Sequence, residues 1–136
     1  MGQVKKMVKQ IKSSEIKKFI EENSNVVLLD VRTENEWKSL GRPKAEDFKS
    51  KTYFITVSHD LSNWQVPDPN FVENVKKKIH KDKKILVMCA AGGRSMIAAN
   101  ILEAEGYSTL NISDGFSGNG QSPGWKNLGL PSFIDS

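Results

Sequence analysis

The chain has 136 residues and a mass of 15.2 kDa, enough for one domain over 1–136 and too little for two of ordinary size. Hydrophobic residues make up 38% and charged residues 26%, a balance that supports a packed core and excludes outright disorder. The net charge of +4, from 20 Lys and Arg against 16 Asp and Glu, is too mild and dispersed for a nucleic-acid binder.

The longest uninterrupted apolar run, Ile85 to Ala91, falls well short of the ~20 residues that span a bilayer, so no membrane partner is expected. No apolar N-terminal stretch marks a secretory signal. Cys89 is the sole cysteine; it can form no internal disulfide and no zinc cluster, and with no signal it points to a reducing, cytoplasmic setting. No metal or cofactor site is expected.

In chain order, Met7 to Ile11 reads as a short strand, although Val4, Met7, Val8 and Ile11 also fit helical spacing. Ser13 is the expected N-cap of a helix that carries Glu15 in its first turn, buries Ile16, Phe19 and Ile20, and ends near Glu22. Val26 to Val31 is a continuous apolar run broken by Asp30, as in strands buried on both faces of a parallel sheet. Thr33 and Glu36 form a capping box for a short helix through Trp37, closed by Gly41-Arg42-Pro43. Tyr53–Val57 is the next strand, and 58–69 is a loop with His59 and Trp64. Phe71, Val72, Val75 and Ile79 share a face of a helix over Asn70–His80. Lys84–Met88 is a strand. Ser95–Glu105 is a helix with Ile97, Ala98, Ile101 and Leu102 inward, stopped by Gly106. Thr109–Ile112 is the last strand, and 114–124 is a Gly-rich loop. This alternation implies an α/β fold with an open, mainly parallel sheet and helices on both faces.

The segment that carries chemistry is Cys89-Ala90-Ala91-Gly92-Gly93-Arg94-Ser95. A buried strand delivers Cys89 to the carboxyl edge of the sheet, where open α/β sheets bind ligands. Backbone N–H groups from Ala90 to Ser95 can curl around the sulfur, with the glycines permitting the turn. The following helix directs its positive end to the same point. Such surroundings lower a cysteine pKa from about 8.5 to ~3.5–7.5. Arg94 adds a charge with no acidic neighbour inside the loop. The alternative is a buried cysteine that only packs.

This loop resembles the active-site loop of single-domain rhodanese-like sulfurtransferases. Val27 to Arg32 with Glu34 through Trp37, Asn111 to Phe116, and Trp125 with Gly129-Leu130-Pro131 are similar to further parts of that family in the same order. The resemblance covers about residues 8–131. It implies a rhodanese-like fold, Cys89 as the catalytic nucleophile, and 90–95 as the substrate-binding cradle. It also implies transfer of sulfane sulfur from thiosulfate or a similar small anionic donor, through a Cys89 persulfide, to a thiol or cyanide. A sulfur-carrier or thioredoxin-like protein is a candidate partner. The chain departs from the family at Arg42-Pro43-Lys44-Ala45, where many members have His-Ile-Pro-Gly-Ala. It also has Ala90 and Ala91 where thiosulfate enzymes often have cationic or polar residues, and an insertion from Gly118 to Gly124 that could alter one wall of the site.

Asp30 and Arg32 read as a structural ion pair ahead of a catalytic role. Ser95 reads first as a helix N-cap and second as a hydroxyl facing sulfur. His59 has no partner motif, and His80 and the lysines around it read as solvated surface. Trp37 and Trp125 read as packing residues and Trp64 as the exposed aromatic. Two other functions stay open: a binding module on the same scaffold, and a cysteine-dependent phosphatase or arsenate reductase. The latter suits the loop less, since four residues between Cys89 and Arg94 leave little room for a phosphoryl group.

Overall fold

A computed structural model describes residues 8–135. The elements in order are β1 (Lys9–Ile11), α1 (Ser13–Glu22), β2 (Val26–Asp30), α2 (Glu34–Leu40), β3 (Arg42–Pro43), β4 (Lys51–Phe54), α3 (Phe71–Lys76), β5 (Lys84–Met88), α4 (Gly93–Ala104), β6 (Ser108–Ile112), α5 (Gly124–Asn127) and β7 (Ser132–Phe133), with 3₁₀ turns at Ala45–Phe48 and Leu61–Asn63. Five strands form a parallel sheet in the order β1-β6-β5-β2-β4. The expected mainly parallel α/β sheet is therefore the observed one. Its central strands β2 and β5 are the two apolar runs of the sequence, buried on both faces because helices cover both.

Alternation along the strands divides the core. Val27, Leu29, Ile85 and Val87 face α3 and α4 through Phe71, Val75, Ala98, Ala99 and Leu102. Val26, Leu28, Leu86 and Met88 face α1 through Ile16 and Ile20, together with Phe116 and Trp125. From β2 the chain moves outward to β4, then crosses back to β5 on the other side of β2. That reversal opens a crevice at the carboxyl ends of β2 and β5. Asp30 ends β2 and Cys89 follows β5, so both stand at its mouth.

Several boundaries differ from the sequence reading. Met7 lies outside the described residues, and the first strand begins at Lys9. Lys12, not Ser13, is the N-cap of α1, with its N–H bonded to Glu15 Oε1 at 2.9 Å. Ser13 is instead buried, its N–H and hydroxyl both bonded at 2.9 Å to Asp114 Oδ1 across the chain. The strand read at Tyr53–Val57 is β4 at Lys51–Phe54. An edge strand tolerates polar residues, and Thr52 bonds Glu46 through both its N–H and its hydroxyl. Ile55 and Val57 still bond the Asp30 and Val31 carbonyls (3.0 and 3.1 Å), but as a segment passing over the end of β2. The regular part of α3 stops at Lys76, with Lys78 and Ile79 N–H groups both on the Val75 carbonyl. In α4 the buried face is Ala98, Ala99 and Leu102, while Ile97 and Ile101 are half-buried.

The turn at Arg42-Pro43 pairs antiparallel with β7, an arrangement absent from the sequence reading. Arg42 Nη2 lies 2.9 Å from Asp135 Oδ2 and the guanidinium stacks over Trp37 and Phe54. Among the described residues, no helix is long and apolar enough to cross a membrane.

Candidate active site

β5 ends at Met88, and the chain turns so that Cys89 is 1% exposed beneath the loop 90–92. Gly92 adopts φ +105°, and its N–H points back to Sγ at 3.1 Å. Its missing side chain leaves room for the Ser113 backbone, which would collide with any Cβ. Gly92→Ala combines that collision with the strain of a positive φ. It is expected to lower the unfolding midpoint by several degrees. Thermal melts check this; an unchanged melt would contradict it.

The helix α4 starts at Gly93, two residues earlier than the sequence reading, with Gly92 as its N-cap. Ser95 is thereby inside the first turn, fully buried, with Oγ 3.2 Å from Cys89 Sγ. It is the hydroxyl facing sulfur, not the N-cap. Asn111, one strand over, orients it. The Asn111 Nδ2 donates to the Gly92 carbonyl at 3.2 Å, so Oδ1 faces Ser95 and accepts its hydroxyl proton at 2.5 Å. A hydroxyl has one proton, so the lone pairs of Ser95 then face the sulfur. When Sγ carries a proton, its S–H donates to Ser95.

Arg94 does not project freely into the cleft. Its Nη1 and Nη2 grip both oxygens of Glu36, from the first turn of α2, at 2.6 and 2.8 Å. Glu36 Oε1 also accepts the Thr33 N–H at 3.1 Å, the capping box foreseen in the sequence. The charge that had no acidic neighbour within its own loop thus finds one from another element. Burial pushes the Glu36 carboxyl up, but the Arg94 and Thr33 hydrogen bonds and the Arg94 charge outweigh it, leaving Glu36 below the ordinary glutamate range. Burial disfavours the Arg94 charge, and Glu36, with Cys89 and Asp30, more than restores it.

A lowered folded-state value means that Glu36 contributes stability above its unfolded pKa and loses it as pH falls through the folded one. Glu36→Gln should therefore unfold at lower urea than wild type at pH 7, with the two converging in strong acid. A midpoint difference that stays constant from pH 7 to about pH 2 would refute this assignment.

Asp30 and Arg32 form a pair at 2.8 Å with both side chains 0% exposed. Arg32 Nη2 also donates to the Gly41 carbonyl at 2.9 Å, and its guanidinium lies 4.1 Å from the Phe116 ring centroid. The pair is buried and closed on itself.

Above Cys89 lies a pocket of about 280 Å³, lined by Leu61, Trp64, Cys89, Ala90, Ala91, Gly93 and Arg94. Leu61 and Trp64 come from the long loop after β4; the sequence reading took Trp64 as an exposed aromatic and gave Leu61 no role. Their only signal was large apolar side chains, together with Val66, in an otherwise mostly polar segment. A Cβ on Gly93 would meet the Trp64 ring at 3.2 Å, so the indole leans directly on the start of α4. His59 is not part of the lining; it is exposed and bonded to Asp68 at 2.8 Å. The 118–124 segment folds back on Asn119 and contributes nothing to the lining. Trp37 and Trp125 are buried packing residues.

An open parallel sheet that presents one thiol at a strand–loop–helix junction defines the class to which this fold and site belong. The model of the Rhodanese-like domain matches residues 12–120, and the chain belongs to that family. It is 39% identical to an uncharacterised protein of Rickettsia prowazekii, RP600, over 92% of this chain and 97% of that one. It is 25% identical to the putative sulfurtransferase YtwF of Bacillus subtilis, over 79% and 86%. The crystal structure of Rv0390 from M. tuberculosis superposes with a TM-score of 0.80 at 24% identity, over 96% of this chain and all 100% of that one.

Proposed function

We propose that the protein is a sulfurtransferase that carries sulfane sulfur as a persulfide on Cys89. The observation that carries this reading is the placement of Sγ: at the floor of a pocket, 3.1 Å from the Gly92 N–H and 3.2 Å from the Ser95 hydroxyl. In the first half-reaction the Cys89 thiolate attacks the outer sulfur of a donor such as thiosulfate. A sulfur–sulfur bond forms to Sγ, and the donor's own bond breaks with its electron pair on the leaving group, sulfite for thiosulfate. In the second, a thiol or cyanide attacks the outer sulfur of the persulfide and returns Cys89 as thiolate. As negative charge gathers on sulfur, Ser95 can rotate its proton from Asn111 Oδ1 to Sγ, and the Gly92 N–H already faces it. The B. subtilis relative described as a putative sulfurtransferase supports this chemistry.

The acceptor is a small thiol, cyanide or the thiol of a carrier or thioredoxin-like protein, with no role for nucleic acid or membrane and a cytoplasmic setting. The phosphatase alternative needs a guanidinium that forks onto phosphoryl oxygens inside the loop. Both terminal nitrogens of Arg94 are already on Glu36, which argues against it.

Intact mass spectrometry after incubation with excess sulfane-sulfur donor tests the reading. The expected adduct is one sulfur atom, ~32 Da, on the sole cysteine, removed by cyanide. No adduct from thiosulfate, a thiosulfonate or an alkyl persulfide would leave the scaffold as a binding module.

A further inference from the structure

We propose that the donor is a small organic sulfane-sulfur compound with an apolar body, and not an inorganic dianion; this rests on the sulfurtransferase reading. Charge is the first ground. The charged side chains around Cys89 close on one another, Asp30 with Arg32 at 2.8 Å and Glu36 with Arg94 at 2.6 Å. Among the described residues, Arg94 is the sole cation in the pocket lining, and its fork is occupied. A dianion approaching a thiolate here gives up water and meets only backbone N–H groups and a neutralised ion pair. The cost of burying charge without a partner then falls on the donor complex.

Lining is the second ground. Leu61 and Trp64 keep 47% and 38% of their surface open while bordering the nucleophile's own pocket. Ala90 and Ala91 add methyl groups and no polar side-chain atoms. An indole with more than a third of its surface open suits a flat apolar group, which gains by aromatic contact as well as by leaving water. Size is the third. The pocket measures about 280 Å³, and a thiosulfate ion brings only five non-hydrogen atoms to it. A donor with a ring-sized body fills the remainder.

The transfer step balances for either organic form. For a persulfide, Cys89–S⁻ and R–S–SH give Cys89–S–SH and R–S⁻. For a thiosulfonate, Cys89–S⁻ and R–SO₂–S⁻ give Cys89–S–S⁻ and R–SO₂⁻. In each case one sulfur–sulfur bond forms and one breaks, with the electron pair leaving on R–S⁻ or R–SO₂⁻.

Benzenethiosulfonate and thiosulfate serve as matched probes, both with cyanide as acceptor. In this two-step scheme kcat/KM for the donor reports the first half-reaction alone. Each value is divided by that donor's uncatalysed rate with free cysteine thiolate, to remove intrinsic reactivity. The aromatic donor is expected to lead by at least tenfold. Trp64→Ala should reduce that ratio severalfold, as should Leu61→Ser, a second variant on the same exposed loop. Glu36→Gln, which uncovers the Arg94 charge, should shift the ratio toward thiosulfate. Equal or better use of thiosulfate by wild type would overturn the donor class while leaving sulfur transfer intact. So would a tenfold ratio that survives both Trp64→Ala and Leu61→Ser. If none of thiosulfate, benzenethiosulfonate and an alkyl persulfide adds ~32 Da to Cys89, the sulfurtransferase reading itself fails, and the donor class with it.

Discussion

Cys89→Ser is expected to abolish sulfur transfer, by at least ~10³-fold, because the persulfide has no other place to form among the side chains of a one-cysteine protein. The fold should survive. The site is 1% exposed, and a serine hydroxyl keeps the Gly92 N–H and Ser95 contacts, so the melting temperature should move by only a few degrees. The variant should also show no ~32 Da adduct. Arg94→Lys forms a useful contrast. Lysine keeps a charge for Glu36 but not the two-pronged grip, so the loop should loosen while a substantial part of sulfur transfer remains. In a phosphatase the same change would remove a transition-state clamp and cost ~10²–10³ in rate. Wild type should therefore hydrolyse p-nitrophenyl phosphate no faster than Cys89→Ser. Phosphate release that depends on Cys89 and disappears in Arg94→Lys would reverse the assignment.

The parts of the site written in one stretch of sequence were legible there. Cys89 after a buried strand, glycines in the turn and a helix behind it follow from local geometry alone, and of the 90–95 N–H groups that of Gly92 reaches Sγ. The Thr33–Glu36 capping box was equally local. What could not be read were contacts between stretches distant in sequence. Glu36 reaches Arg94 across 58 positions, and Asn111 reaches Ser95 across 16. Neither partner announces itself, since glutamate in a first helical turn and asparagine near a strand end have ordinary local explanations. Ser95 was misread as an N-cap for a related reason. With Gly92 able to take a positive φ, the helix begins two residues sooner and turns the hydroxyl inward. Strand β4 slipped in the reading because apolar content marks burial, whereas an edge strand is defined by its ladder with β2. The apolar residues Ile55 and Val57 belong to the segment just beyond that ladder.

The largest stability effect should come from the pair beneath the site. Asp30 and Arg32 have no exposure at all, and Arg32 Nη1 is buried with no hydrogen-bond partner of its own. Asp30→Asn would leave the guanidinium buried against the Phe116 face with its countercharge gone. Arg32→Met would leave a buried carboxylate held by the backbone N–H of residue 32 and without its countercharge, and would also strip the Gly41 carbonyl of its donor. Breaking a buried pair from one side costs about 3–5 kcal/mol, a third or more of a typical domain's stability. For a chain of this length that is roughly 10–20 °C in melting temperature. The double variant, Asp30→Asn with Arg32→Met, removes both charges together, so it should lose much less than the sum of the two singles. Urea denaturation of the four proteins measures this coupling. Losses that add to within about 0.5 kcal/mol would show that the two residues act independently. The pair also matters to the chemistry, because Val31 between its members donates its N–H to the Met88 carbonyl at 2.8 Å, one residue before Cys89. Loosening Asp30 and Arg32 should thus lower activity even at temperatures where the variants remain folded.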